Sequence, residues 1–183
     1  MDALHVEKAH WVGLSMGGMI GQALALNHAE RIASLALCDT AASLPPDAQA
    51  VWAERIRTAR EKGLSLLVDG TMERWFTPPF LRLNPPMVRR IREIFLATPV
   101  DGYVGCSEAI RGLGYLERLH KIDLPTLILV GSEDQGTPIS ASEAMKERIR
   151  ASELCVIPSA AHLSNIEQPE VFNRELVAFL KGI

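Results

Sequence analysis

His10-Trp11-Val12-Gly13-Leu14-Ser15-Met16-Gly17-Gly18-Met19-Ile20 is the stretch on which the reading of this chain turns. It reads as a short apolar strand, a tight turn through Gly-x-Ser-x-Gly, and the start of a helix. Gly13, Ser15 and Gly17 fill the pattern. Such a turn lifts the Ser15 hydroxyl clear of the strand. Side chains at Gly13 and Gly17 are expected to collide with the turn, so hydrogens stand there. The helix from Met16 points its free N–H groups and positive dipole end at the serine. The Met16 N–H is thereby expected to donate to an oxyanion forming on a carbonyl attacked by Ser15. From Met16 to Leu26 nearly every residue is apolar or small, which predicts a helix buried on most sides.

Working outward, Ala9 to Leu14 is the first strand and Met16 to about Asn27 the first helix. Met1 to Leu4 resembles the tail of a helix, since no N-cap precedes an apolar repeat there. Ala33 to Cys38 is a second apolar run, and strand, helix, strand at this spacing predicts parallel pairing. From Leu44 to about His120 no strand-like run occurs. Helical patches cover Ala48 to Lys62, Leu64 to Trp75, Pro86 to Ala97 and Val104 to Arg111, with prolines between them. Pro125 to Gly131 is a continuous apolar run, as a strand buried on both faces requires. Ser140 to Arg150 is a helix with Ala144, Met145 and Ile149 inward. Glu153 to Ile157 is a fourth strand, and Pro169 to Leu180 a closing helix. The fold class is α/β: a parallel sheet of about four strands with a helical insertion. Residues 1–43 and 121–183 form the core. Residues 44–120, inserted after the carboxyl end of a strand, are expected as a cap on the ligand side of the sheet.

At 183 residues the chain suits one domain with a real core, and 48% hydrophobic with 22% charged residues is ordinary for a globular protein. A formal net charge of −3 without a basic block argues against nucleic acid. The longest apolar run is too short to span a bilayer, and the residues from Met1 lead to no expectation of a secretion signal. Cys38, Cys106 and Cys155 are scattered without a C-x-x-C pattern. They are expected as small packing residues in a reducing compartment, and the cytoplasm is the default location. No His-x-x-x-His or His/Glu cluster suggests a metal, and no cofactor is implied.

Ser15, Asp134 and His162 each stand just past the end of an expected parallel strand. Parallel strands place their carboxyl ends on one rim, so the three can converge. A serine hydroxyl needs a base to take its proton. His162 is expected as that base and later as the acid for the leaving group, with Asp134 fixing the imidazole's tautomer. Ser, Asp, His is the chain order of the α/β-hydrolase triad. Glu133 and Asp39 are rival carboxylates past strand ends. Asp134 is preferred because its loop suits an acid turned inward, leaving Glu133 to water. His5, His10, His28 and His120 fall at strand starts or helix ends, where surface or packing roles are expected.

Beyond the elbow, several segments resemble the 3-oxoadipate enol-lactonase family. These are Gly13 to Gln22, Leu37 to Ala42, Glu73 to Thr77, Gly102 to Cys106 and Ala161 to Pro169. The resemblance spans essentially the whole chain, and its cap segments are more specific than the elbow. It implies hydrolysis of a small carboxylated enol-lactone in the β-ketoadipate route of aromatic breakdown. Such a substrate calls for a cation, from Arg74, Arg55 or Arg111, and an apolar wall, from Trp75 or Trp52. Sibling readings on the same triad are a general carboxylesterase and a cofactor-free haloperoxidase. A catalytically silent binding domain is the reading from another class. One departure stands out. Members of this family begin with a further sheet half, carrying a His-Gly loop that gives a second oxyanion N–H. Its counterpart is not found before this elbow, so the expectation is a sheet completed by further chain, in cis or in trans.

Overall fold

The computed structural model describes residues Met1–Ile183, which divide into two compact units. The first comprises Met1–Ser43 and Gly114–Ile183, and the second Leu44–Leu113. The insertion expected to reach His120 ends earlier. Leu119 is fully buried with Ile122 among side chains of the sheet core, so residues 114–120 group with the sheet.

In the first unit the strands are β1 (Ala9–Leu14), β2 (Ile32–Cys38), β3 (Thr126–Gly131) and β4 (Ser152–Ile157). They lie in the order β1-β2-β3-β4, all parallel. Gly13 pairs with Leu37, Leu37 with Ile128, and Ile128 with Leu154. Side chains alternate between faces along each strand. Leu35, Leu37 and Ile128 enter one core with Ala25 of α1 (Met16–Asn27) and Met145 of α7 (Ile139–Arg148). Ala36, Cys38, Leu127 and Leu129 enter the other, with Phe172 of α9 (Pro169–Lys181). Helices on both faces explain why β2 and β3 read as unbroken apolar runs. Burying each such leucine or isoleucine contributes about 1.5–3 kcal/mol. A short helix, α8 (Ser164–Glu167), precedes α9.

Two expectations about apolar residues need correction. Helix α1 buries Gly18, Met19, Gly21, Gln22 and Ala25 and half-buries most of its other residues, but leaves Ile20 exposed, so its cover is broken at that position. Cys38 packs in the core as expected, whereas Cys106 is exposed. Met1 to Leu4 is a single 3₁₀ turn over Asp2–Leu4.

The second unit is helical throughout: α2 (Ala48–Lys62), α3 (Val68–Trp75), α4 (Pro78–Leu83), α5 (Pro86–Ala97) and α6 (Val100–Arg111). Its core holds Ile56, Val68, Met72, Phe76, Val88, Phe95 and Val104. Phe95 is a hub for edge-on contacts with Trp75 and Tyr103, both at 5.8 Å between ring centres. Helix α4 was not expected, because Pro78-Pro79 reads as punctuation. Both prolines sit in its first turn, where no N–H is needed, and Thr77 caps it by accepting from the Phe80 N–H. No helix of the chain is long and apolar enough to cross a membrane.

Candidate active site

The site is built on the carboxyl rim of the four parallel strands. Ser15 follows β1 directly and has φ 54° and ψ −115°, a conformation that costs a non-glycine residue about 1–3 kcal/mol. Several bonds hold it there. The Ser15 N–H donates to the Cys38 carbonyl at 2.8 Å, and the Thr40 hydroxyl donates to the Ser15 carbonyl at 2.7 Å. That carbonyl also accepts from the N–H groups of Gly18 and Met19. From below, the Trp11 indole N–H donates to the Gly17 carbonyl at 2.9 Å.

The glycines divide differently from the sequence expectation. A Cβ at Gly13 would lie 2.2 Å from the Gly17 carbonyl oxygen, so Gly13 is required by contact with backbone. A Cβ at Gly17 would meet nothing within 4 Å, so the turn does not exclude a side chain there. The second required glycine is Gly18, whose Cβ would come within 2.6 Å of the Thr40 side chain. Bonding of Thr40 to the elbow and close packing against Gly18 are thus one device.

His162 lies in the loop after β4, with its Nε2 2.8 Å from the Ser15 Oγ and its Nδ1 2.8 Å from Asp134 Oδ2. Asp134 lies in the loop after β3 and is buried. Its Oδ1 accepts from the backbone N–H groups of Gly136 and Thr137, and its Oδ2 from the Thr137 hydroxyl at 2.6 Å. Burial opposes ionisation of Asp134. The bond and charge of His162 and the two Thr137 bonds outweigh it, so the pKa lies below the ordinary carboxylate value. An ionised Asp134 only accepts, so the Nδ1 carries a proton and the Nε2 accepts from the Ser15 hydroxyl. Thr137 escaped the sequence reading. Its only signal is its place three residues after the acid, closing a turn on that carboxylate.

The rivals are placed elsewhere. Glu133 is exposed. Asp39 is fully buried but bonds the Gly131 N–H and the Ser164 hydroxyl, not the imidazole. His5, His10, His28 and His120 are exposed. Met16 opens α1, where a backbone N–H has no carbonyl one turn back to bond.

In the helical unit the suggested substrate contacts form a cluster of their own. The Arg55 guanidinium lies 4.8 Å from the Trp52 ring centre and donates to the Tyr103 and Thr71 hydroxyls. Arg74 donates to the same Thr71 hydroxyl at 3.0 Å. The hydrogen bonds of these two cations therefore go to hydroxyls and to no carboxylate. Burial, then the neighbouring Arg55 charge, lower the Arg74 pKa to about 10, against weaker opposing effects of Tyr103 and Glu73. Arg111 instead pairs with Glu108 at 2.8 Å and bonds Gln49. Trp75 packs edge-on to Phe95.

A relay of this geometry on this sheet has a known setting. Residues 1–169 match the alpha/beta hydrolase fold family. The chain belongs to that family. A 3-oxoadipate enol-lactonase of Acinetobacter baylyi is 36% identical over 183 residues, covering 100% of the hydrolase chain and 68% of the relative. The crystal structure of the enol-lactonase from Burkholderia xenovorans superposes with a TM-score of 0.93 at 35% identity, over 99% of this chain and 68% of that one. A thermophilic esterase from Thermogutta terrifontis superposes at 0.91 with 30% identity, over 99% and 68%. The chain spans about two thirds of the length of each. The protein is a hydrolase of the ester- and lactone-cleaving kind.

Proposed function

We propose that this hydrolase opens a small enol-lactone bearing a free carboxylate, converting 3-oxoadipate enol-lactone to 3-oxoadipate, with Ser15 as nucleophile. The observation that carries the chemistry is the relay from Ser15 Oγ through His162 to Asp134, 2.8 Å at each step. The similarity to enol-lactonases supports the substrate class.

As His162 Nε2 takes its proton, Ser15 Oγ attacks the lactone carbonyl. The Met16 N–H donates to the tetrahedral oxyanion. Collapse breaks the ring C–O bond, and His162 returns the proton to the departing enol oxygen. The enol becomes a ketone, which makes ring opening hard to reverse. A water then gives His162 a proton and attacks the acyl carbon, freeing the second carboxylate and Ser15. Asp134 keeps the imidazole in one tautomer throughout and balances its charge. For the substrate's carboxylate the candidate cations are Arg55 and Arg74, since the charge of Arg111 is already paired with Glu108.

The test compares the lactone with p-nitrophenyl acetate, a neutral ester. Ser15→Ala should abolish turnover of both, and Asp134→Asn should lower kcat about 10⁴-fold. Losing a hydrogen bond to a charged group costs about 1.5–3 kcal/mol. Arg55→Ala and Arg74→Ala should therefore raise KM for the lactone at least about tenfold more than for the ester. Equal effects on both substrates would favour the general carboxylesterase, which the likeness to the esterase supports as second reading.

A further inference from the structure

We propose that Asp39 is a positioning residue that ties the loop carrying Asp134 to the loop carrying His162, and so sets the distance across which the imidazole meets its acid. The proposal rests on the Ser15, His162 and Asp134 assignment above.

Asp39 is the first residue after β2 and has φ 44°, a left-handed conformation that turns its side chain off the strand's path. Its own N–H continues the ladder by donating to the Leu129 carbonyl at 2.8 Å. Its carboxyl then takes the place of the next backbone group. Oδ1 accepts from the Gly131 N–H at 2.8 Å, at the last residue of β3 and three before Asp134. Oδ2 accepts from the Ser164 hydroxyl at 2.6 Å, two residues after His162. One buried group thus holds the root of the acid loop and the far side of the histidine loop.

The two loops also touch at this point. A Cβ on Gly131 would lie 2.2 Å from the Ala161 carbonyl oxygen and 2.5 Å from that of Ala160, so the histidine loop runs hard against the end of β3. The Ala161 N–H is in turn fixed by Glu167, which accepts it at 2.7 Å. Glu167 and Ser164 both belong to α8 (Ser164–Glu167), so His162 is braced from α8 on one side and from Asp39 on the other. A buried carboxyl is a costly part to use as a brace. Both of its oxygens are satisfied here, and neither bonds His162. Holding reacting groups in place matters steeply: a misplacement of about 1 Å can cost on the order of 10²-fold in rate.

The test is the rate at which a fluorophosphonate labels the protein, measured well below the melting temperature, so that loss of stability alone does not register. Ser15→Ala should abolish labelling. Label that survives it, or no labelling of the wild type, overturns the triad assignment and this inference with it. With wild type labelled at Ser15, Asp39→Ala should slow the limiting labelling rate about tenfold or more. The probe concentration giving half that rate should stay within about twofold, because probe binding is untouched. Asp39→Asn keeps an acceptor for the Gly131 N–H and a partner for Ser164, and should return most of the lost rate. Should Asp39→Ala fail to fold, Ser164→Ala removes one of the two ties and should show a smaller loss of the same kind. A labelling rate equal to wild type in Asp39→Ala, or in Ser164→Ala where it stands in, overturns the proposal. So does an Asp39→Asn rate no better than that of Asp39→Ala.

Discussion

Gly13 and Gly17 occupy equivalent places in the motif, yet only one of them is held by contact. A methyl at Gly13 would strike the carbonyl of Gly17, a backbone atom that cannot move without unwinding the first turn of α1. Gly13→Ala should therefore lower the melting temperature by several degrees and destroy labelling of Ser15, whereas Gly17→Ala should keep the fold, with melting within about 1 kcal/mol of wild type. Asp39 allows a second prediction. Burial pushes its carboxyl up to about 7, although Ser164, Gly131 and His162 hold it down and Asp134 adds to the rise. The buried Cys38 thiol lies next to it in the chain. The folded chain keeps the Asp39 proton at pH values where the unfolded chain, with a value near 3.8, has released it. Stability from this group is therefore lost as pH rises from about 4 to 7, by at most on the order of 4 kcal/mol. Asp39→Asn should remove that slope, so its melting temperature gains on wild type between those pH values. A constant difference across the range would show that Asp39 does not titrate there. Asp134 acts with the opposite sign, its contribution being lost as pH falls through its lowered pKa.

At the level of elements, the core was legible because period and contact agree. β1, α1 and α5 lie where the sequence pattern puts them, and β2 and β3 within a residue of it, since apolar runs that must face two helical layers leave few alternatives for those two strands. The convergence of Ser15, Asp134 and His162 was legible for the same reason: three loops leave the carboxyl ends of three parallel strands. The bracing around the triad was not. Thr137, Thr40 and Ser164 are small hydroxyls whose partners are far away in sequence or depend on a turn, and nothing in their spacing marks them. Helix α4 was hidden by its own N-terminal chemistry, and α6 begins at Val100, one residue after Pro99, rather than at Val104. The cap of α4 can be measured. Thr77→Ala removes the acceptor of the Phe80 N–H and should cost about 1 kcal/mol of stability, read from denaturant unfolding. A cost below about 0.3 kcal/mol would mean that Pro78 and Pro79 fix this turn unaided.

Across the whole molecule, the sheet of these 183 residues has β1 at its margin. β1 pairs on one side only, with β2, and the backbone groups along its other side have no strand to meet. His10 and Val12 on this strand are exposed, Val12 at 46% of its surface. Natural sheets seldom leave an apolar margin open, because it is a template for any strand that arrives. About a third of the matched enol-lactonase lies outside the match, so in such a relative there is chain to spare for covering it. The 183-residue chain alone should therefore associate through β1 at micromolar concentrations and be poorly soluble. Sedimentation velocity should find Val12→Lys largely monomeric, because a charge on the open face opposes a second copy. Fusing the unmatched part of the Acinetobacter relative ahead of Met1 should remove the association without that substitution. A wild-type chain that sediments as a monomer, or one whose association Val12→Lys leaves unchanged, would place the contact elsewhere and leave β1 a tolerated edge.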